Sequence, residues 1–375
     1  MFLLFLPSMN VVKATRKYEE WLGQQLQIVE ADLQFKHERM AASAFSFFRG
    51  TFYRWLQQWE EVCAHLQGVP KILAVGDLHV ENFGTWRDTD GRLVWGINDF
   101  DEACSYPYTM DLVRLATSAF LASQEKQLTM KPKESADAIV SGYQEGMVQG
   151  GRPFVLEEEH SWLRAIAVSK LRDPVVFWRK MDRLPSVSGE IPESAREALE
   201  HLLPEPGLEY RLAHRVAGMG SLGRVRVVAI AQWKGAQVAR EAKALAPSAL
   251  HWADPRAPRE ILYGAILGRA VRCLDPYVQL RGHWIVRRLS PHCSRIELEA
   301  LGTARGELRL LEAMGFETAN IHVGTEEKRR DILKDLRKRK ANWLVKAAEA
   351  MAQKIEEDWR VWRERWQKRA VVDKL

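Results

Sequence analysis

Apolar positions in the first part of the chain recur every three to four residues, which is the spacing of one face of an α-helix. From residue 11 to residue 34 this pattern predicts one amphipathic helix. A second helix is predicted over residues 41–67, with Gly68 and Pro70 as its stop signal. The chain is therefore expected to begin with helices.

Two short apolar runs that follow have the composition of β-strands. KILAV (71–75) and RLVWGIND (92–99) lie on either side of an Asp90-Gly91 turn. Strand-like runs joined through such a turn are typical of hairpins, so we expect these two strands to form a hairpin-like pair.

The middle of the chain separates two groups of elements. Residues 111–123 and 134–149 are predicted helices, whereas residues 214–243 are predicted to form two or three strands with a Lys-Gly turn. Proline and glycine concentrate between these groups, over residues 184–207, which suggests a domain boundary. The later predicted elements are a helix at 256–274, a strand at 283–289 and helices from 297 onward. This order predicts an α+β protein of two lobes.

Composition narrows the class of protein. The chain has 375 residues, 46% hydrophobic and 28% charged, with a net charge of +6, which supports a folded core and suits a polyanionic partner such as ATP. Its four cysteines include no CxxC pair, which argues against a zinc site or disulfide framework and fits a reducing compartment. The apolar run over residues 1–9 is too short to span a membrane and lacks the basic start of a signal peptide. We therefore expect a cytoplasmic protein without membrane contact.

The stretch GDLHVENFG, directly after the first predicted strand, gathers several polar side chains. A polar turn after a buried strand is the simplest interpretation. A two-metal phosphoesterase is an alternative, because Asp77 and His79 have the spacing Asp-x-His. That site also needs an adjacent Asn-His pair, and in ETANIHVG the residues Asn320 and His322 are not adjacent.

Phosphoryl transfer is a third interpretation of this stretch. It requires a carboxylate that orients an attacking hydroxyl, together with oxygen ligands for Mg²⁺. Asp77 precedes Asn82 by five residues, which is the spacing of the catalytic Asp and the metal-binding Asn in kinase catalytic loops. Asp99 in INDFDEA follows an apolar strand and precedes Phe100, as does the aspartate of the Asp-Phe-Gly motif.

GDLHVEN, INDFDEA and the following PYTMDLVRLA together resemble the aminoglycoside phosphotransferase and choline kinase branch of the protein-kinase-like fold. The resemblance implies a base at Asp77, Mg²⁺ ligands at Asn82 and Asp99, and a structural acid at Asp111 that hydrogen-bonds the catalytic loop. Asp101, His79 and Glu81 would have supporting roles. Two positions depart from the pattern, Val75 where the family has His and Asn98 where it has Asp.

A glycine-rich loop, GMGSLG at residues 218–223, precedes a β-rich run. The resemblance implies that Gly218, Gly220, Ser221 and Gly223 cover the phosphates of ATP, since a Rossmann loop would open a helix instead. The loop comes 141 residues after Asp77, whereas in ordinary kinases it comes before the catalytic Asp. We therefore expect a circularly permuted kinase-like fold. Its parts would be a helical, catalytic-loop-bearing part at 1–205, a β-rich nucleotide-covering part at 206–292 and returning C-terminal helices at 293–375.

Kinases carry a basic residue on the third strand that contacts the nucleotide phosphates. Arg240 and Lys243 lie 17 and 20 residues beyond Gly223, and strand alternation puts them on opposite faces. The sequence interpretation prefers Arg240, with Glu260 as the acidic partner. The alternative is that both bases are surface charges.

The chain also resembles the domain-of-unknown-function 2252 family of bacterial proteins. The stretches that carry this resemblance are RMAASAFSFFRG (39–50), GDLHVENFG, INDFDEA, GMGSLG, REAKALAPSA (240–249) and WIVRRLSP. The family implies no reaction. Arg49 would lie behind the catalytic loop, reaching either a phosphate or the carbonyl groups of the loop, or pairing with a structural acid.

The leading functional hypothesis is ATP- and Mg²⁺-dependent phosphotransfer to a hydroxyl of an unknown small molecule or protein. Nucleotidyl (AMP) transfer and a nucleotide-binding pseudokinase are alternatives. A basic nucleic-acid-binding protein is a more distant one, because the run at 328–340 is rich in Lys and Arg. Acids alternate with these bases, and Trp359, Trp362 and Trp366 share one helical stripe. We therefore expect this tail to dock onto the protein body.

Overall fold

The computed structural model describes residues 9–168, 173–187, 189–293 and 304–372. The N-terminal apolar run lies outside these residues except for Met9, as does the start of the predicted C-terminal helical tail at 297–303. The described residues form a mixed α+β fold of helices and small antiparallel sheets.

The helices lie in three groups along the chain. Those before the five-stranded sheet are α1 (Val11–Gln25), α2 (Glu30–Ala42), α3 (Ala44–Gly50), α4 (Phe52–Val62), α5 (Thr109–Gln124), α6 (Pro132–Gln149), α7 (Ser161–Ala167), α8 (Pro174–Asp182) and α9 (Glu193–His201). Those within it are α10 (Ala249–Ala253) and α11 (Tyr263–Arg269), and those after it are α12 (Ala304–His322), α13 (Arg329–Leu336) and α14 (Trp343–Val372).

The strands form three antiparallel sheets. Their bounds are β1 (Lys71–Ala74), β2 (Phe83–Arg87), β3 (Leu93–Ile97), β4 (Cys104–Pro107), β5 (Phe154–Val155), β6 (Arg211–His214), β7 (Arg226–Trp233), β8 (Ala236–Ala244), β9 (Gln279–Arg281) and β10 (Trp284–Leu289). The strand orders are β1-β4, β2-β3-β5 and β6-β7-β8-β10-β9.

The predicted pairing of the first two strands is wrong. β1 pairs with β4, whereas β3 pairs with β2, and the Asp90-Gly91 turn closes the β2-β3 hairpin. The reason is that FGTWR, directly after the polar stretch, is itself a strand and is joined to β3 by the shorter connection. β1 and β3 therefore each end at a loop that carries candidate site residues.

The two predicted N-terminal helices are each divided. The first is broken over residues 26–29, where the N–H of Val29 donates to the carbonyl of Gly223 at 2.8 Å and Ile28 bridges to Arg224. The second is broken at Thr51, whose hydroxyl donates to the carbonyl of Phe47 at 2.7 Å. The helix predicted at 256–274 is limited to α11, whereas the helices predicted at 111–123 and 134–149 are confirmed as α5 and α6.

Helix α12 follows the five-stranded sheet in sequence but packs closely on α6. A Cβ at Gly142 of α6 would lie 1.8 Å from the carbonyl oxygen of Glu312, and one at Gly315 of α12 would lie 2.1 Å from that of Ile139. Glycine is needed at both positions because the two backbones touch. α12, from the later part of the chain, thereby packs against a helix of the first part.

The C-terminal tryptophans dock onto the protein body, as predicted. Nε1 of Trp362 donates to the carbonyl of His37 at 3.2 Å, and Nε1 of Trp359 donates to that of Ala41 at 3.3 Å. Helix α14 thus packs along α2. Among the described residues, no helix combines the length and apolar character needed to cross a membrane.

Candidate active site

A tight loop after β1 carries the polar stretch that contains Asp77. Gly76 turns the chain there with a φ of +85°, and a Cβ on it would lie 2.2 Å from the carbonyl oxygen of Glu102. Any other residue would be both strained and obstructed at this position. The loop continues into a 3₁₀ turn, Val80–Asn82, and presents Asp77 to a cavity.

Asp111, at the start of α5, holds this loop from behind. Its carboxylate accepts the backbone N–H groups of Val75 (2.7 Å) and Gly76 (3.0 Å) and lies 2.9 Å from Nε2 of His322. The other ring nitrogen of His322 lies 2.9 Å from the hydroxyl of Tyr143. The side chains of Asp111, His322 and Tyr143 are fully buried. Asp111 therefore contacts the loop in the way that the kinase resemblance implies.

An arginine that the sequence interpretation missed orients Asp77. Arg114 lies one turn after Asp111 on α5 and forms an ion pair with Oδ1 of Asp77, to which its Nε donates at 3.0 Å. Its guanidinium is buried 4.0 Å from the ring centroid of Phe48, and this burial lowers its pKa. The available signal was a single charge in the otherwise uncharged, mostly apolar run LVRLATSAFLA.

Asn82, predicted as a metal ligand, closes the other end of the loop. Its Nδ2 donates to the backbone carbonyl of Asp77 at 2.7 Å, and the backbone carbonyl of Asn82 accepts the N–H of Asn98 at 3.0 Å. Because the amide nitrogen is committed to the protein, the side-chain oxygen is the atom that can bind a cation. The contact with Asn98 links the Asp77 loop to the loop that follows β3.

Three residues with predicted supporting roles contact one another beside the loop. Glu81 pairs with Arg49 of α3 at 2.5 Å, and Nδ1 of His79 accepts the N–H of Glu81 at 3.2 Å. Of the alternatives for Arg49, the structure shows the pairing with an acid. This group ties the loop to α3.

The loop after β3 carries Asp99 and Asp101, which share one buried lysine. Nζ of Lys243 on β8 lies 3.2 Å from Oδ1 of Asp99 and 2.6 Å from Oδ1 of Asp101. Burial and then the charge of Asp99 raise the pKa of Asp101 to about 6. Burial acts in the same direction on Asp99, but the Lys243 ammonium and a hydrogen bond with Asp101 hold its pKa below the usual range. The three charges form one linked group.

The expectation that Arg240 rather than Lys243 faces the candidate site is corrected by the structure. Arg240 lies on the opposite face of β8, where its Nε donates to the carbonyl of Leu202 at 2.8 Å and its guanidinium lies 4.5 Å from the ring centroid of Tyr277. Glu260, expected as the acidic partner, is exposed and precedes α11. Which face of β8 meets the cavity depends on how the sheet packs, and alternation alone does not reveal it.

The glycine loop joins β6 to β7 and covers Asp77. Gly218 and Gly223 have φ values of +76° and +93°. A Cβ on Gly220 would lie 3.1 Å from Oδ2 of Asp77, so a side chain there would crowd the carboxylate. From α2, the buried Lys36 donates to the carbonyl of Gly220 at 3.3 Å, and burial lowers the pKa of this lysine to about 8. The loop is thus held directly over Asp77.

Three arginines converge on one buried acid at the cavity-facing side of the five-stranded sheet. Glu241 has no exposed side-chain surface and pairs with Arg226 and Arg287, each at 2.9 Å, and with Arg215. Arg226 also donates to the hydroxyl of Ser221 in the glycine loop at 2.6 Å. Although burial acts to raise the pKa of Glu241, the three guanidinium groups hold it well below its usual range. Arg215, Arg226 and Arg287 are called the arginine roof below, and the sequence interpretation predicted none of them.

Helix α12 supplies a second acid behind the site. Oε1 of Glu317 accepts the N–H of Ile97 at 3.1 Å, two residues before Asp99, and Asn320 donates to Oε2 at 2.7 Å. Burial raises the pKa of Glu317 to about 7, against the opposing charge of Arg272. The stretch ETANIHVG was considered only as a phosphoesterase ligand set, and the contacts of Glu317 with Ile97 and of His322 with Asp111 were missed.

The loops and the arginine roof enclose a cavity of about 690 Å³. Asp77, Asn82, Asp99 and Gly220 all line it. Its lining includes nine Lys or Arg residues and six Asp or Glu residues, so the cavity carries an excess of positive charge. Such a cavity suits an anionic ligand.

Oxygen donors for a divalent cation are present in the cavity. The side-chain oxygen of Asn82 and the carboxylate of Asp99 both line it. Within the described ranges, no group of three or more His, Cys, Asp or Glu residues is placed to hold a metal. This donor set fits Mg²⁺, which typically takes one or two protein carboxylates together with phosphate oxygens and water.

Comparison with protein families supports the bacterial family named above for the first part of the chain. Residues 28–175 match the model of a family described as "Uncharacterized protein conserved in bacteria (DUF2252)". The matched segment contains Asp77, Asn82 and Asp99 but ends before the glycine loop and the arginine roof. Searches of curated proteins and of solved structures give no match.

Proposed function

We propose that the protein is a kinase-like phosphotransferase that moves a phosphoryl group from Mg·ATP to a hydroxyl acceptor. The observation that carries this proposal is the convergence of Asp77, Asp99 and Gly220 on one cavity, although Gly220 is 143 residues distant from Asp77 in sequence. A polar turn after a strand would have no need of a glycine loop packed so closely on its carboxylate that a Cβ on Gly220 would lie 3.1 Å from Oδ2 of Asp77.

The arrangement of the sheet also supports a permuted kinase-like fold. The glycine loop joins the first two strands of the five-stranded sheet, and Lys243 lies on the third. Kinases have a glycine-rich loop over the phosphates and a lysine on the third strand. Here both parts follow the catalytic loop in sequence, as circular permutation requires.

Asp77 has the environment of a positioning carboxylate. Arg114 occupies Oδ1, and Oδ2 is the oxygen that an acceptor hydroxyl would contact. Phosphoryl transfer passes through a loose transition state in which orientation and charge neutralisation matter more than strong proton abstraction. A carboxylate held by a buried arginine suits that task.

Asn82 and Asp99 would hold Mg²⁺, whose chemistry is to neutralise the charge on the phosphate oxygens. Lys243 holds Asp99 and Asp101 in place from the sheet above.

The test uses ATP labelled separately at the α- and γ-phosphates, incubated with Mg²⁺ and a mixture of candidate acceptors. We expect transfer of the γ-label and its loss by about 10²-fold or more in Asp77→Asn and Asp99→Ala. Asp90→Ala, at an exposed turn with its side chain 76% accessible, is the matched control and should keep wild-type turnover.

Other outcomes separate the alternatives. Transfer of the α-label would identify a nucleotidyltransferase, and ATP binding without transfer of either label would identify a pseudokinase. Full turnover in Asp99→Ala would refute the assignment of the site.

A further inference from the structure

We propose that the arginine roof binds the phosphate chain of a polyphosphate ligand, on the sheet beside the glycine loop, where Arg226 donates to the hydroxyl of Ser221. This inference rests on the proposed function for the identity of the ligand, since ATP is the polyphosphate that the candidate reaction uses. It assigns to Arg215, Arg226 and Arg287 a binding role that the kinase resemblance does not supply.

The register of the sheet places these residues together. Arg226 of β7 lies opposite Lys243 of β8, and Arg287 of β10 lies opposite Glu241 of β8. Positions 241 and 243 share one face of β8 because strand side chains alternate. The roof and the lysine that contacts Asp99 therefore lie on the same face of the sheet.

The roof has more positive charge than its acid can neutralise. Three guanidinium groups surround the single carboxylate of Glu241, and the side chains of Arg215 and Arg287 are still 27% and 24% exposed. A guanidinium has five N–H donors, of which Glu241 and Ser221 engage only a part. Arg215 and Arg287 line the cavity with partly exposed side chains, so donors that Glu241 does not engage can contact a ligand there.

The chemistry of the roof favours phosphate over an aromatic base. Pockets for flat organic groups are lined predominantly by apolar and aromatic side chains, whereas planar guanidinium groups match phosphate oxygens in pairs. Lys243 lies two positions along β8 from Glu241, which corresponds to about 7 Å. A chain of two or three phosphates would extend over that separation, from the Asp99 loop to the roof.

The position of the glycine loop supports this placement. Gly220 lies against Asp77, and its carbonyl is held by Lys36. The space directly beneath the loop tip is thus narrow. Arg215, Arg226 and Arg287 line the same cavity.

The experiment measures binding of inorganic tripolyphosphate, with and without Mg²⁺, by calorimetry on the full chain. The variant Arg287→Met should bind tripolyphosphate at least about tenfold more weakly, since one close charged hydrogen-bonding partner is lost. Arg287→Lys should keep an intermediate affinity. Arg281→Met, on the exposed edge strand β9 of the same sheet, should match the wild type.

Arg215→Met is a second variant in case Arg287→Met does not fold, because Arg215 lies at the end of a strand and is partly exposed. Tripolyphosphate affinity within twofold of wild type in a folded Arg287→Met or Arg215→Met protein would overturn the inference, as would a wild-type protein that does not bind tripolyphosphate. If γ-label transfer persists in that case, the proposed function stands and only the roof assignment fails. If tripolyphosphate binds at the roof but no label is transferred, the roof assignment stands and the proposed function fails.

Discussion

Two fully buried acids, Asp111 below the cavity and Glu241 above it, are stabilised in different ways. Asp111 accepts two backbone N–H groups and contacts His322. Glu241 is surrounded by three guanidinium groups. Backbone donors at Asp111 impose a shape on the loop that bears Asp77. The arginines at Glu241 create excess positive charge and orient it toward the cavity.

The difference shows that a buried carboxylate can either fix the conformation of a loop or hold several cationic side chains together. A carboxylate that accepts backbone N–H groups fixes the conformation of a turn. A carboxylate shared by several arginines costs more desolvation, and it is retained where its cationic partners have a use. Three predictions test this contrast.

The largest expected effect follows from Glu241→Gln. Three guanidinium groups would lose their common negative partner inside the protein, and the free energy of unfolding should fall by about 3–5 kcal/mol. Urea unfolding with and without tripolyphosphate measures the effect, and added polyanion should restore more stability to the variant than to the wild type. Equal stabilisation of both proteins would show that the roof has no unsatisfied charge.

The second prediction concerns opposite dependences on pH. Glu317 has a folded-state pKa of about 7 against an ordinary 4.5, so the stability it contributes is complete below pH 4.5 and is lost as pH rises through 7. Relative to Glu317→Gln, the wild type should lose on the order of 3 kcal/mol across that interval. Glu241 has a folded-state pKa below its ordinary value. The stability that it contributes is therefore present above its unfolded-state pKa and is lost as pH falls toward its folded-state pKa.

The measurement is urea unfolding of the wild type and Glu317→Gln at a series of pH values. Parallel stability curves for the two proteins would contradict the assignment of a raised pKa to Glu317. A control is Glu312→Gln on the same helix, whose carboxylate bonds the exposed Ser141, and its curve should follow that of the wild type.

The smallest of the three effects is expected for Asp111→Asn. The amide can still accept one backbone N–H but presents a donor to the other, so the loss should be about 2 kcal/mol. We expect a local change in the loop that bears Asp77, with the rest of the fold retained. Hydrogen exchange at the N–H groups of Val75 and Gly76 checks this, and unchanged protection there would remove Asp111 from its assigned role.

The parts of the fold that could be predicted from the sequence are those decided by local pattern. α5 and α6 have long helical periodicity, and the Lys234-Gly235 turn between β7 and β8 needs positive φ at both residues. The breaks at 26–29 and at Thr51 have no such local signature. The first exists because backbone there pairs with the segment after the glycine loop, which is a tertiary contact.

The residues of the candidate site also divide into those that a local motif predicts and those that depend on tertiary contacts. Asp77, Asn82, Asp99 and the glycines follow from motif spacing, and the structure brings them to one cavity. Arg114 and Glu241 lie within stretches that carry the family resemblances, but the sequence interpretation gave neither them nor Glu317 a role, because their roles depend on what lies opposite them in space. The choice between Arg240 and Lys243 depends on which face of β8 meets the cavity.

The contact between Asp111 and His322 joins residues 211 positions apart, and Ile97 and Glu317 are 220 apart. During synthesis, therefore, the residues of the Asp77 and Asp99 loops leave the ribosome long before the helix that braces them. Contacts over such separations form late, because much chain must be ordered before they close. A partly synthesised chain would carry the polar residues of the site without a supporting scaffold. The order of the elements thus delays assembly of the site until α12 has been made.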